Sequence, residues 1–152
     1  MLEFLGNFEA KVDAKARIFV PAAFRKILQS SAQAALILRK DIFQDCLVLY
    51  PLEVWDAELA KLRSRLNRWD RQQQQVFRQF VVDAERLEMD GSGRILVPKK
   101  YLQMIDVESD VLFLGVGDII ELWRKGVLTQ TLLSADDFGS TLQDLMADSD
   151  KG

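Results

Sequence analysis

Histidine is absent from this chain of 152 residues, and cysteine occurs once, as Cys46. Without histidine there is no Ser-His-Asp triad, no Cys-His dyad and no histidine metal site. A single cysteine excludes an internal disulfide and fits a reducing cytoplasm. Lying in the apolar run 46–50, it is expected as a small core residue. No glycine-rich loop ends in Gly-Lys-Ser/Thr, so the phosphate cradle of nucleotide-binding enzymes is missing. The carboxylates are spread along the chain rather than gathered. The chain is therefore expected not to be an enzyme and to need no cofactor, metal or small-molecule substrate. No apolar run is long enough to span a membrane. Residues 1–6 lack the basic start and the long apolar stretch of a signal peptide.

What is present begins with a repeat. Residues 13–24 read Asp-Ala-Lys-Ala-Arg-Ile-Phe-Val-Pro-Ala-Ala-Phe, and residues 90–101 read Asp-Gly-Ser-Gly-Arg-Ile-Leu-Val-Pro-Lys-Lys-Tyr. Five of the twelve positions are identical (Asp, Arg, Ile, Val and Pro), where unrelated segments would match at about one. Each copy predicts a short strand ending at Val12 or Met89, a turn, an apolar strand, and a helix opened by Pro21 or Pro98. Asp90-Gly91 and Ser92-Gly93 are turn signals, because glycine takes positive φ without steric cost. Asp13 and Arg17, and likewise Asp90 and Arg94, stand four apart and can pair across the hairpin. Such a pair closes the turn; for Arg17 a surface role competes, because Lys11 and Lys15 lie beside it.

The repeat extends further. Residues 22–29 predict a short helix with Phe24, Ile27 and Leu28 on its apolar side, followed by a polar break at 30–33. Strands are expected at 36–38 and 46–50, the second ended by Pro51. They are mirrored at 111–114 and 119–123, with Asp118 corresponding to Asp45. Between the two units, Trp55, Leu59, Leu62, Leu66 and Trp69 are spaced as one helical stripe. Asp70 stands three before Gln73, the spacing of a capping box, and predicts a second helix to about Val82. Gln72 to Gln75 should be a solvated helix face. Short helices are expected at 127–133 and 140–146, with a loose end at 149–152. The division is then a first half at 1–52, a helical hairpin at 53–83, a second half at 84–125, and short helices with an acidic tail at 126–152.

Charge is uneven. Residues 1–40 carry seven basic side chains (Lys11, Lys15, Arg17, Arg25, Lys26, Arg39, Lys40) against three acidic ones, in a chain whose net charge is −3. Residues 129–152 hold five aspartates and one lysine. An acidic chain is no general polyanion binder, but a basic N-terminal face can hold phosphate locally. Arg94 has Glu85 and Glu88 upstream and no lysine in its turn, so the first turn should attract a phosphate and the second repel it.

Two Asp-x-x-x-Arg turns separated by a helical hairpin, together with Phe4-Leu5-Gly6 and the run from Asp45 to Pro51 followed by Trp55, resemble the MraZ family of bacterial regulators. The likeness covers residues 4–123. It implies an α+β fold: a tandem AbrB-like swapped-hairpin β-barrel formed by two repeats in one chain. It also implies ring-shaped homo-oligomers, a cytoplasmic and nucleoid-associated location, and sequence-specific binding of double-stranded DNA at short direct repeats in a promoter of the division and cell-wall gene cluster. The family's DNA-binding arginine falls on Arg17 and its neighbouring lysine on Lys15, with Asp13 supporting the loop. Arginine suits bidentate reading of guanine; Lys11 and Lys15 suit phosphates. Asp90 and Arg94 then form the structural turn. The family's first motif has glycine where this chain has Ala16, and alanine at positive φ costs about 1 kcal/mol. Two other readings compete: an oligomeric protein-interaction scaffold, and an AbrB-like antitoxin, against which the second copy and the central helices argue.

Overall fold

The computed structural model describes residues 3–30 and 35–149; residues 31–33 of the predicted polar break and 150–152 of the predicted loose end lie outside them. The first unit supplies β1 (Phe4–Lys11), β2 (Arg17–Phe19), α1 (Ala22–Ser30), β3 (Ala35–Lys40) and β4 (Cys46–Pro51). The helical hairpin is α2 (Leu52–Arg65) and α3 (Arg71–Val82). The second unit repeats the order as β5 (Glu85–Glu88), β6 (Arg94–Leu96), α4 (Lys99–Met104), β7 (Asp110–Gly117) and β8 (Ile119–Arg124). The chain continues into α5 (Leu128–Thr131) and α6 (Ala135–Ser149).

Six strands form one antiparallel sheet in the order β1-β7-β8-β4-β3-β5, and β2 and β6 form a separate ribbon. The order reads the same from either edge when the two units are interchanged. Each unit's first strand pairs with the other unit: β1 runs along β7 from Phe4↔Gly117 to Lys11↔Asp110, and β5 along β3 from Ala35↔Glu88 to Leu38↔Glu85. In the ribbon, Ile18 faces Ile95, with Arg17 opposite Leu96 and Phe19 opposite Arg94. Its ends are tied reciprocally, Val20 N–H donating to the Gly93 carbonyl and Val97 N–H to that of Ala16, at 3.0 and 2.9 Å.

Alternation along the strands puts one face of each inside. Ile18, Val20, Ile95 and Val97 of the ribbon pack with Leu36, Leu38, Leu47, Leu49, Val111, Phe113, Ile120 and Leu122 of the sheet in one core that draws on both units. Full burial of an aliphatic side chain contributes about 1.5–3 kcal/mol, so the ribbon is held chiefly by its two isoleucines and two valines. Phe24 closes one end of this core, with Phe4 and Phe8 edge-on to it at 5.5 and 5.2 Å. Tyr101, the repeat counterpart of Phe24, keeps its ring in the core and donates its hydroxyl to the Asp83 carbonyl, tying α4 to the end of α3.

Several expectations shift by a turn. Pro98 is the N-cap of α4 rather than its first residue, with φ −54° and ψ 144° at the equivalent N-cap Pro51 of α2 and ψ 142° at Pro98 itself. The apolar stripe predicted to run to Trp69 stops earlier. Helix α2 ends at Arg65, Leu66 is extended, and Trp69 is 96% exposed. The Asn67 side chain accepts from the Trp69 N–H and so favours a turn over a further helical turn. Asp70 does cap α3, accepting from Gln73 N–H at 3.0 Å, but Gln73 reaches back to Asn67 N–H rather than to Asp70. The hairpin docks through Trp55, whose ring is edge-on to Tyr50 and stacked on Phe80 at 5.4 Å. The helix predicted at 140–146 is the longer α6, and that predicted at 127–133 shortens to α5.

The basic N-terminal face is also smaller than its count. Arg39 is buried beneath α3, with Nε donating to the Phe80 carbonyl and the guanidinium 4.6 Å from the Phe80 ring centre. Lys40 donates to the Gln44 carbonyl and pairs with Asp45 at 3.6 Å, closing the 41–45 loop. These two cations serve the fold and leave Lys11, Lys15 and Lys26 exposed, with Arg17 and Arg25 partly buried.

Candidate nucleic-acid interface

Both Asp-x-x-x-Arg turns have the same construction. A backbone turn is closed by Ala16 N–H donating to the Asp13 carbonyl and Gly93 N–H to that of Asp90, each at 3.0 Å. One carboxylate oxygen of Asp13 accepts from the N–H groups of Lys15 and Arg17, and Asp90 does the same with Ser92 and Arg94, all at 2.8–2.9 Å. The other oxygen takes the arginine Nε, at 2.8 Å for Arg17 and 2.9 Å for Arg94. Each aspartate carboxyl is held below its ordinary range, chiefly by the N–H of its arginine. Desolvation opposes this, while the N–H two residues on and the guanidinium reinforce it.

This arrangement explains why aspartate and arginine are needed four apart. A carboxylate fixed by two backbone donors becomes a rigid acceptor, and it grips only the Nε of the arginine. Neither Nη of Arg17 makes a hydrogen bond within the described residues, so both remain as parallel donors on an oriented guanidinium. That is the geometry a bidentate acceptor requires.

The two turns then differ. Arg94 lies 5.6 Å from the centre of the Phe19 ring, the residue it faces across the ribbon, whereas Arg17 faces Leu96. Arg94 thus has an aromatic surface to rest on. Lys11, whose side chain is 83% exposed and whose amine lies 3.9 Å from Asp110, occupies the repeat position held by Glu88 in the second unit. Lys15 is exposed where the second turn has Ser92.

The glycine expected at the first turn is indeed replaced under strain: Ala16 has φ +62°, and its counterpart Gly93 has φ +87°. The methyl of Ala16 is buried, and Ala16 and Leu102 both line a cleft of about 580 Å³. At Gly93 an added Cβ would stand 2.5 Å from Arg25 Cδ. Arg25 and Leu102 hold the same repeat position, so the helix of the opposite unit decides whether a turn tolerates a methyl.

That exchange of neighbours was not legible in the local sequence. Lys99, from the second unit, lines the cleft with Asp13 and Ala16 and adds a cation near the first turn. Arg25, from the first unit, lies against the second turn and weakens the negative surroundings expected there. Phe19 and Leu96, about half exposed, give the ribbon an apolar outer surface between the arginines. The signal for these residues is the pairing of each unit's first strand with the other unit, which sets each turn near a helix of that unit.

For a metal, one constellation among the described residues brings ligand atoms within 4.8 Å of one another: Asp41, Cys46 and Glu121. Its carboxylates are occupied. Asp41 accepts from the N–H groups of Phe43 and Gln44, and Glu121 from the indole of Trp123. Burial, then Glu121 and Asp41, push the Cys46 thiol well above its ordinary range. The group closes a loop. No helix among the described residues is long and apolar enough to cross a membrane.

The family model described as "MraZ protein, putative antitoxin-like" matches residues 4–79 and again 80–132, one match per unit. A protein of Bacteroides fragilis is 54% identical over 96% of this chain and 92% of its own length. One from Phocaeicola vulgatus is 50% identical over 95% and 94%, and one from Bacteroides thetaiotaomicron 49% identical over 99% and 97%. Each of the three is named transcriptional regulator MraZ. Two tandem matches and relatives of this identity along nearly the whole chain establish that it belongs to the MraZ family.

Proposed function

We propose that this chain is a transcriptional regulator that binds double-stranded DNA sequence-specifically through its first turn. The observation that carries the reading is the setting of Arg17: gripped by Asp13 through Nε alone, as Arg94 is by Asp90, it keeps both Nη groups for an acceptor outside the chain and has the exposed Lys11 and Lys15 on its own unit beside it. In the major groove that acceptor is the O6/N7 edge of guanine. Lys15 and Lys11 hold flanking phosphates, and Asp13 orients the loop. The exchanged pairing of β1 and β5 supports a swapped-hairpin double barrel, with 1–52 and 84–125 as its halves, 53–83 as an inserted hairpin and 126–152 as a C-terminal extension.

One small basic loop makes few phosphate contacts, and each contributes only about −0.9 to the slope of log affinity against log salt. Tight binding then needs several loops on one particle. A ring-shaped homo-oligomer facing short direct repeats supplies this through effective concentration. On this reading the repeats lie in a promoter of the division and cell-wall gene cluster, and the protein works in the cytoplasm at the nucleoid. The work is binding, without catalysis, cofactor or small-molecule substrate. Antitoxin-like behaviour, which the family description mentions, would use the same barrel without requiring base reading.

An unbiased selection of bound DNA, repeated over a salt series, tests the proposal. Enrichment of a short repeated motif containing guanine, with affinity falling steeply as salt rises, supports it. A protein that enriches nothing, or that binds without salt dependence, contradicts it.

A further inference from the structure

Two surfaces far apart in the sequence remain after the fold and the turns are accounted for. The first is α6. Every residue from 129 to 147 is exposed, yet the helix is amphipathic. Phe138, Leu142 and Leu145 fall on one stripe, at 58%, 45% and 63% exposure, with Asp137 and Asp144 along one flank at a spacing that keeps them in register. Among residues 135–149 there are four aspartates and no basic side chain.

The second surface is the tip of the helical hairpin. Residues 61–78 carry six basic side chains against one acidic, Asp70. Between the ends of α2 and α3 lies a cleft of about 290 Å³, lined by Leu66 and Phe77 with Arg63, Arg68 and Arg78 around them. Arg63 already rests 5.2 Å from the Phe77 ring centre, and Trp69 stands exposed at the tip. An apolar floor within an arginine rim is the complement of an apolar stripe flanked by aspartates.

We propose that α6 of one copy docks into the α2–α3 cleft of a second copy. Phe138, Leu142 and Leu145 would face Leu66, Phe77 and Trp69, and Asp137 and Asp144 would face the arginines. This rests on the oligomeric reading given above and names its contact. The occupant is a second copy because this chain's own α6 leaves the cleft open and its own stripe uncovered. The two surfaces differ, so the contact is head-to-tail, the type that generates rings by closure. The apolar floor and exposed tryptophan distinguish the cleft from a phosphate-binding face.

The test uses the full chain. Light scattering of the wild type reports the oligomer itself; a mass of 17.4 kDa, that of one chain, overturns the oligomeric reading and this inference with it. With a multi-subunit wild type, Phe138→Asp/Leu145→Asp and Arg68→Glu/Arg78→Glu should each lower the particle mass roughly twofold or more, since every copy loses the contact. Their melting temperature in the single-chain state should stay close to that of a dissociated wild type. Mixing tagged Leu142→Cys chains with untagged Gln74→Cys chains should give a disulfide between chains. Unchanged mass in both variants with no cross-link overturns the docking while leaving the oligomer standing. A cross-link formed only within a Leu142→Cys/Gln74→Cys double variant also overturns it, in favour of closure on the same chain. So does loss of DNA binding in Arg68→Glu/Arg78→Glu at unchanged mass, which would assign the cleft to nucleic acid.

Discussion

The turn at Asp13 and the turn at Asp90 are the same object built twice, with hydrogen bonds matching to about 0.1 Å. They are set in different surroundings. Around Arg17 stand Lys11, Lys15 and, from the other unit, Lys99. Around Arg94 stand Ser92, Glu88 and the ring of Phe19, with Arg25 crossing over against Gly93. A conserved internal geometry therefore does not assign a role. The charges and rings placed next to it do, and half of those come from the opposite repeat.

The comparison breaks most sharply at the arginines. Arg17→Ala should abolish detectable operator binding by a multi-loop particle, since each bidentate contact is worth about 1–3 kcal/mol and is lost at every copy. Melting temperature and particle mass should stay unchanged. Arg94→Ala should instead lower the melting temperature by a few degrees, from loss of a cation–π contact worth about 0.5–1 kcal/mol and of the turn's ion pair. Binding curves and melts of both variants in one buffer check this.

Next in size is the glycine. Gly93→Ala forces a methyl into positive φ against the Arg25 side chain, costing about 1–2 kcal/mol. Ala16→Gly relieves a similar backbone strain but forfeits a buried methyl worth about 0.8 kcal/mol. It should thus be neutral or slightly stabilising, without weaker DNA binding. Thermal melts should show a clear drop for the first and little change for the second. A marked loss of stability in Ala16→Gly would mean that burial of the methyl, rather than the turn, dominates there.

How much of this was legible without coordinates follows from where each signal lives. The Asp–Arg pairing, the Asp70 cap and the extent of α3 depend on residues within a few positions of one another, and the sequence pattern predicts them. Trp69 misled because it continues the apolar spacing of α2, while the Asn67 side chain accepts from the Trp69 N–H and Asp70 caps a new helix, side chain–backbone bonds that outrank periodicity. The burial of Arg39 under Phe80 and the crossing of Arg25 and Lys99 depend on contacts between distant segments. Charge counts along the chain do not contain them.

A smaller effect sharpens the electrostatic side. Exchanging the turn residues as Lys15→Ser and Ser92→Lys should reduce the salt slope of DNA binding by about 0.9 per lost phosphate contact in the first variant. The second variant should add little affinity for the operator. Titration at several salt concentrations measures both.

The smallest effect is that of acid. Asp13 and Asp90 sit below their ordinary value of 3.8 when folded. The stability they lend is therefore present above 3.8 and is lost as pH falls through the lowered values. Melts at successive pH values below 3.8 should show both turns loosening together, because their carboxylates are held alike. Asp13→Asn and Asp90→Asn should each flatten part of that dependence.

The central claim is that the first turn reads sequence and the second does not. Selection of bound DNA by Arg17→Lys and Arg94→Lys tests it most directly, because lysine keeps the charge and removes the bidentate fork. The account predicts that Arg17→Lys still binds DNA at low salt but no longer enriches the wild-type motif, while Arg94→Lys enriches that motif unchanged. A motif that survives Arg17→Lys and is lost in Arg94→Lys would contradict it and make the second turn the reading head.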